Sequence, residues 1–202
     1  MNDHSMSAKD VVALVERLGA HGVDACIGGG WAVDALLREQ TREHSDLDLW
    51  APAAHLEQLF VAFTEAGVDW VFPWPGDRPW NFVLHDGVRL RVDLHLYEPL
   101  PDGSLHYGSV VARGSIPADA LAGRGSIAGT AVRCESAEWA VRCHTGYPAR
   151  DVDRHDVPLL CLRASSRLRS VPQAARRRRK GPFSIGVSSC PTREALNLCH
   201  IR

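Results

Sequence analysis

Three aspartates in two strand-like segments offer the clearest chemistry in this sequence. Residues two apart on a strand project to the same side, so Asp46 and Asp48, which alternate with Leu47 and Leu49, share one face. Asp93 lies in a later alternating segment and faces the same space if the two strands are neighbours. Like charges about 4 Å apart repel by roughly 4 kcal/mol at an effective dielectric constant of about 20, so such a cluster needs cations or protons.

Magnesium suits this cluster because it takes oxygen ligands at about 2.0–2.1 Å and completes its shell with water and phosphate oxygens. Two such ions, about 3.5–4 Å apart, could steady the attacking and leaving oxygens of a phosphoryl displacement. A half-exposed strand with solvated acids would give the same Asp-Leu-Asp-Leu pattern. The choice between a metal site and a solvated strand face therefore depends on the residues around the acids.

A glycine turn about 16 residues before Asp46 favours the catalytic interpretation. Glycines 28–30 join a short predicted strand to a helix, where backbone N–H groups and the helix N-terminus can bind phosphate. A tight turn also favours glycine for backbone reasons alone, so this signal counts only in combination with the acids. We interpret Gly29 and Gly30 as nucleotide-binding, with Arg42 and His44 placed to neutralise the β- and γ-phosphates.

The spacing of apolar residues predicts the elements that position these groups. A first helix follows a Ser7 cap and ends near Gly19, and a second follows the glycine turn. Pro52 is expected to open a third helix that Gly67 stops. An antiparallel hairpin is expected around Asp86-Gly87. The other predicted elements are strands at 24–27, 47–49, 80–85 and 88–96, short strands within 102–133, and helices at 136–144 and 153–163.

The segments 27–37 (IGGGWAVDALL) and 40–49 (QTREHSDLDL) resemble the signature of lincosamide and aminoglycoside nucleotidyltransferases, which belong to the DNA polymerase beta-like superfamily. The resemblance extends from about residue 9 to about residue 163. It implies an α+β nucleotidyltransferase fold, with a mixed β-sheet flanked by helices. It also implies that Asp46 and Asp48 are magnesium ligands in a site for two ions, and that Asp93 serves as a third ligand, as the general base, or as both.

The same resemblance covers the C-terminal helices, which would wall the acceptor cleft of a domain spanning 1–164. Pro158 departs from the pattern, because proline removes a helical hydrogen bond, so the last helix would start late or kink. No resemblance extends into 165–202, which holds nine Lys or Arg and one acid, whereas the rest of the chain holds 14 basic and 23 acidic residues. This basic tail is expected to be poorly ordered and to bind no nucleic acid specifically.

Several further residues have both a functional and a structural interpretation. His95, Tyr97 and Glu98 are candidates for acceptor binding, although a structural histidine and exposed loop positions would show the same pattern. One of the three tryptophans at positions 70, 74 and 80 could stack on a ligand. The six cysteines form no metal or disulfide pattern, and no apolar run could cross a membrane, so reduced thiols in the cytoplasm are expected.

The acidic cluster and the glycine turn, together with what the resemblance implies, predict a magnesium-dependent enzyme. It would move a nucleoside monophosphate, AMP from ATP, to a hydroxyl of an aminoglycoside or lincosamide antibiotic and release pyrophosphate. The acidic body suits a cationic acceptor. Two alternatives stay open: a related nucleotidyltransferase with a protein or RNA acceptor of the toxin–antitoxin type, and a nucleotide-binding module without turnover. The sequence does not choose the acceptor, the nucleobase or the oligomeric state.

Overall fold

The computed structural model describes residues 5–73, 81–107, 114–145 and 147–170. The chain divides into two compact units, Met1–Ala140 and Val141–Arg202. The helices in the described residues are α1 (Ala8–Ala20), α2 (Gly29–Leu37), α3 (Leu56–Glu65), α4 (Ala137–Cys143) and α5 (Asp151–Ser170). The strands there are β1 (Cys26–Ile27), β2 (Leu47–Pro52), β3 (Trp70–Pro73), β4 (Asn81–His85), β5 (Arg91–Pro99), β6 (Leu105–Tyr107), β7 (Ser115–Ile116), β8 (Gly123–Ile127) and β9 (Thr130–Cys134).

The first unit is built on a mixed sheet with the strand order β3-β4-β5-β2-β1-β9-β8. β2 pairs with β5 in parallel, and β1 pairs with β9 in parallel, whereas the other pairs are antiparallel. β6 pairs with the C-terminal end of β5, and β7 pairs with the other edge of β6. α2 packs against β2 and β8, and α1 packs against α3. The predicted mixed sheet flanked by helices is confirmed.

α1 begins where the sequence predicts, at a capping box. The Ser7 side chain accepts a hydrogen bond from the Asp10 backbone N–H, and the Asp10 carboxylate accepts one from the Ser7 backbone N–H. Arg89 forms a two-point ion pair with the same carboxylate, at 2.5 and 2.8 Å. Asp10 therefore ties the start of α1 to the turn between β4 and β5, and the Arg89 hydrogen bond holds the pKa of Asp10 well below its usual range.

The predicted hairpin forms, but its turn is longer than expected. The Asp86 carboxylate accepts backbone N–H groups of Val88, Arg89 and Leu90, each within 2.9 Å, and this wraps the chain around the side chain. β5 consequently begins at Arg91 instead of Val88. The expectation that strand structure resumes directly after Asp86-Gly87 is wrong, because the side chain of Asp86 competes for the N–H groups that a strand would use.

Pro52 lies at the end of a strand, whereas Pro158 lies inside a helix. Pro52 ends β2, and a short 3-10 helix at Ala53–His55 separates it from α3. α5 starts at Asp151, earlier than predicted, and contains Pro158 within it, so a start delayed by this proline is ruled out. α5 also continues to Ser170, past the predicted domain boundary at 164. That boundary stays a prediction, and the basic residues from 171 onwards lie outside the described residues.

β3 is an edge strand that the sequence pattern did not predict. All four of its residues are exposed, and it pairs with β4 in antiparallel register. The Trp70 ring is 53% exposed and lies 5.2 Å from the His85 ring, between centroids. Trp74 and Trp80, the other two candidates for stacking on a ligand, lie outside the described residues.

In the second unit, Asp153 organises the first turn of α5. Its side chain is 1% exposed and accepts hydrogen bonds from the Arg150 backbone N–H, the Arg150 guanidinium and the Tyr147 hydroxyl, with His144 Nδ1 at 2.7 Å. Burial alone would raise the pKa of Asp153, but these bonds lower it. Across the described ranges, no helix is both long and apolar enough to span a membrane.

Candidate active site

β2 and β5 bring two of the three predicted acids side by side. The strands are parallel neighbours whose register pairs Asp48 with Asp93, and Asp46 immediately precedes β2. On the opposite face of β2, Leu47 and Leu49 are completely buried. The side chains of Asp46 and Asp48 are 30% and 31% exposed, whereas that of Asp93 is 7% exposed. The alternation that points the leucines into the core thus turns the acids towards one partly open surface.

Arg91 supplies the positive charge that this acidic surface requires. Its Nε lies 3.0 Å from Asp93 Oδ1 and 4.0 Å from Asp46 Oδ2, and its Nη2 donates to Asp93 Oδ2 at 3.3 Å. Burial raises the pKa of the Asp93 carboxyl, with the hydrogen bond from Arg91 acting in the opposite direction. We did not expect this role for Arg91, although its position two residues before Asp93 on the same strand face could have indicated it.

The glycine turn sets the N-terminus of α2 against Asp48. The Gly28 N–H donates to the Asp48 backbone carbonyl at 2.8 Å. Gly29 has φ +54°, and a Cβ there would lie 2.9 Å from Asp48 Cγ and still closer to Oδ2. Only glycine allows the backbone this close to the carboxylate. Because first-turn N–H groups of a helix lack intrahelical acceptors, the turn places an anion-binding helix end beside an acid.

Arg42 and His44 lie next to Gly30, as a Cβ at Gly30 would collide with both side chains. His44 is 4% exposed, and its Nε2 lies 2.5 Å from Asp34 Oδ2. The other oxygen of Asp34 accepts the backbone N–H and the hydroxyl of Thr41. Asp34 therefore anchors the loop that carries Arg42 and His44. It was missed in the sequence, where a single acid inside an otherwise apolar helix is the available signal.

The three residues predicted to bind the acceptor lie in different places. His95 is 1% exposed, and its Nε2 is 3.3 Å from Asp48 Oδ1. Tyr97 is buried two residues further along β5, where the Arg133 guanidinium is among its charged neighbours. Glu98 is exposed and, by strand alternation, projects from the face opposite Asp93. The structure thus brings His95 to the acids but not Tyr97 or Glu98, and the acceptor roles of all three stay predictions.

A fourth carboxylate, Glu135, lies near the glycine turn. It is 3% exposed, its Oε1 accepts the indole N–H of Trp50 at 2.8 Å, and its backbone N–H donates to the Ile27 carbonyl. A Cβ at Gly28 would lie 3.1 Å from Glu135 Oε1 and 3.2 Å from Asp48 Cβ. Glu135 was missed because only the parallel pairing of β1 with β9 brings this distant segment beside the turn.

The acidic side chains of this surface are candidate ligands for a divalent cation. Within the part of the chain that the structure describes, no three His, Cys, Asp or Glu side chains are already gathered as a metal-binding group. The residues nevertheless fit a hard cation. Asp48 and Asp93 occupy paired positions on neighbouring strands. Asp46 and Asp93 both contact the guanidinium of Arg91. The glycine turn at Gly29 keeps the backbone close to Asp48. Carboxylate oxygens are the donors that magnesium prefers, and Arg91 shows that these acids already hold a positive charge between them.

Known proteins resemble this chain in sequence and in fold. A lincosamide resistance protein of Staphylococcus haemolyticus is 22% identical over 157 residues, covering 78% of this chain and 96% of that protein. The crystal structure of the lincosamide antibiotic adenylyltransferase LnuA, lincomycin-bound, matches with a TM-score of 0.64 and 21% identity, covering 77% of this chain and 97% of that one. The crystal structure of ANT(2'')-Ia in complex with adenylyl-2''-tobramycin matches with a TM-score of 0.60 and 23% identity, covering 81% of this chain and 98% of that one.

These two structural likenesses confirm the predicted nucleotidyltransferase fold. The family itself is established by a sequence model, that of aminoglycoside-2''-adenylyltransferase, which matches residues 10–160. This match covers the glycine turn, all three aspartates and both C-terminal helices up to position 160. The chain therefore belongs to the aminoglycoside-2''-adenylyltransferase family and is a nucleotidyltransferase.

Proposed function

We propose that this enzyme transfers AMP from ATP to a hydroxyl of an aminoglycoside or lincosamide antibiotic, in a magnesium-dependent reaction that releases pyrophosphate. The observation that carries the proposal is the in-register pairing of Asp48 with Asp93 beside the N-terminus of α2. Acids that converge next to an anion-binding helix end provide for both the cations and the triphosphate of a nucleotide.

Separate groups of residues bind the triphosphate and the metal ions. The N-terminus of α2 at Gly29 and Gly30 binds the triphosphate, with Arg42 and His44 on the adjoining loop as further phosphate-binding side chains. Asp46, Asp48 and Asp93 would hold magnesium, which when bound neutralises the charge that develops on the phosphate oxygens. The transfer is an in-line displacement, in which the acceptor oxygen bonds to the α-phosphorus as the bond to the pyrophosphate oxygen breaks.

The acceptor hydroxyl has to lose its proton during this displacement. Asp93 is the candidate general base, because it is the most buried of the three acids and lies directly beside Asp48. Arg91 binds Asp93 at two points, so it would have to share or release this carboxylate when the substrates are in place. Asp93 would then act as ligand and base within one site.

An antibiotic acceptor is supported by the family and by two related structures. The LnuA structure is lincomycin-bound, and the ANT(2'')-Ia structure is a complex with adenylyl-2''-tobramycin. A surplus of acids over bases in the first 164 residues, 23 against 14, also suits a polycationic aminoglycoside. These findings favour a small-molecule acceptor over the protein or RNA acceptors that the sequence had left open.

The experiment is product analysis by mass spectrometry. The purified enzyme is incubated with magnesium, one of ATP, GTP, CTP or UTP, and one of tobramycin, kanamycin, lincomycin or clindamycin. The mass added to the antibiotic identifies the nucleotide and the acceptor together. We expect AMP on an antibiotic of one of the two classes. Labelling of added protein or RNA with no antibiotic product would contradict the proposal.

Two matched variants test the acids. Asp48→Asn removes one proposed ligand charge and should lower kcat by at least about 10²-fold, the usual scale for losing a group that acts in the transition state. Asp69→Asn makes the same chemical change at an exposed acid next to β3 and should leave the rate unchanged. Equal rates for the two variants would show that the metal assignment is wrong.

We also propose that the catalytic part of the chain ends with α5. A truncation after Ser170 keeps that helix whole, and it removes seven of the nine basic residues of the C-terminal segment. Transfer to antibiotic should persist at the full-length rate. A well-folded truncation that has lost the activity would assign the tail a catalytic role.

A further inference from the structure

His95 lies in a buried polar network directly behind Asp48. Besides the contact of its Nε2 with Asp48 Oδ1 at 3.3 Å, its Nδ1 lies 3.2 Å from the Tyr107 hydroxyl. Asn81 donates its amide N–H to that hydroxyl at 3.0 Å. The longest contact of the network joins Asn81 Oδ1 and His95 Nδ1, at 3.4 Å. The network thus joins β4, β5 and β6 to the acid on β2.

The aromatic ring of Trp50 closes this network on one side. Its centroid lies 4.9 Å from the His95 ring and 4.7 Å from the Tyr107 ring, and its own N–H is held by Glu135. His95 and Asn81 are 1% and 2% exposed. Side chains packed in this way cannot change rotamer without opening the core, so the ring of His95 is fixed relative to Asp48.

The His95 ring is held at both of its nitrogens. An ionised carboxylate only accepts, so Nε2 is the donor to Asp48. Nδ1 lies against the Tyr107 hydroxyl, which accepts from Asn81, and against the Asn81 amide oxygen. Asn81 and Tyr107 therefore hold the ring with its Nε2 turned towards the acid.

We propose that His95 is a positioning residue for Asp48, and that it acts through this Nε2–H donor. By binding Oδ1, it turns the other oxygen, Oδ2, towards Gly29, where a cation and the triphosphate would meet the carboxylate. The inference rests on the proposed function for the identity of that cation. It differs from the acceptor-binding role predicted from the sequence, because the chain of contacts leads from His95 to the acid and into the core.

Two amide substitutions test the proposal with a matched pair. In His95→Gln the side-chain amide can reach the position of Nε2 and keep a donor to Asp48, whereas in His95→Asn the shorter side chain ends near Nδ1. Binding of Mn²⁺ to each protein without nucleotide is measured by electron paramagnetic resonance. We expect His95→Asn to weaken Mn²⁺ binding by about 10–100-fold, the range found for outer-shell partners of metal ligands. His95→Gln should recover most of this loss.

Tyr107→Phe is the second variant, and it leaves His95 in place while removing the hydroxyl that contacts Nδ1. It should weaken Mn²⁺ binding by a smaller factor than His95→Asn, with thermal unfolding confirming that each variant is folded. Unchanged Mn²⁺ binding in both His95→Asn and Tyr107→Phe overturns the proposal, as does an absence of Mn²⁺ binding by the wild-type protein.

Steady-state kinetics separates this role from acceptor binding. If His95 positions Asp48, His95→Asn lowers kcat and leaves the KM of the antibiotic unchanged. A raised antibiotic KM with normal Mn²⁺ binding would instead establish the acceptor role. Failure of the proposed function has a different result, since wild-type protein would then bind Mn²⁺ with no nucleotide added to any antibiotic, and the Mn²⁺ comparison would still decide the role of His95.

Discussion

Replacing Gly29 by alanine should damage the acidic site far more than it damages the fold. At φ +54° the new side chain costs about 1–2 kcal/mol of backbone strain. The added Cβ would also lie 2.9 Å from Asp48 Cγ, whereas carbon atoms in contact are usually about 3.5–4.0 Å apart. The carboxylate therefore has to retreat by at least roughly 0.6–1 Å from the place where it meets the helix end, since its Oδ2 would lie closer still to the Cβ.

A displacement of this size is large for a reacting group. Misplacement by about 1 Å can lower a rate by on the order of 10²-fold, which corresponds to about 2.7 kcal/mol of transition-state stabilisation. We thus expect kcat/KM for adenylyl transfer to fall by about two orders of magnitude in Gly29→Ala, while the free energy of unfolding falls by only about 1–2 kcal/mol.

Gly67→Ala is the matched control. Gly67 also has a positive φ, +73°, but a Cβ there meets no atom within 4 Å. It should show the same loss of stability in urea unfolding and no loss of transferase activity in a coupled pyrophosphate assay. If Gly29→Ala retained the activity of Gly67→Ala, the close approach of the turn to Asp48 would have no catalytic importance.

Three further predictions concern stability and thiol reactivity. Arg89→Met should lower the unfolding free energy, measured by urea unfolding, by about 0.5–1 kcal/mol near neutral pH, because its partner Asp10 is mostly buried but Arg89 is not. Since the pKa of Asp10 is depressed in the folded protein, the difference in unfolding free energy between variant and wild type should shrink as the pH falls below about 4. Burial raises the pKa of Cys134 to about 12. Iodoacetamide should therefore modify the exposed Cys161 and spare Cys134 in native protein, as measured by peptide mass mapping. Early labelling of Cys134 would refute its burial. Asp153→Asn should destabilise the protein by about 1.5–3 kcal/mol in thermal unfolding, because a buried carboxylate that accepts several hydrogen bonds is lost, and an unchanged midpoint would disprove this.

The parts of the fold that could be predicted are those set by local sequence rules. Ser7 and Asp10 are spaced as a capping box, and α1 starts there. The alternation around Asp48 and Asp93 predicts strand faces, and the two strands prove to be neighbours in register. Each of these signals lies within a few residues of the element that it predicts, which is why it can be recognised in the sequence alone.

Other features depend on pairings between distant segments and could not be predicted. Glu135 reaches the glycine turn only because β9 pairs with β1, and the buried contact of His95 with Tyr107 requires β6 to fold back on β5. Arg91 became interpretable once its two carboxylate partners were known. A residue's type and spacing show which chemistry is available, but long-range strand register decides which side chains meet.

The parallel pairing of β2 with β5 also has an evolutionary consequence. Backbone hydrogen bonds keep neighbouring strands about 4.7–4.9 Å apart in any sheet, so the gap between Asp48 and Asp93 does not depend on the loops around them. Substitutions and insertions in those loops can reshape the surface that an acceptor meets without changing the spacing of the acids. In such an architecture, substrate range can drift under selection while the phosphoryl chemistry is inherited intact.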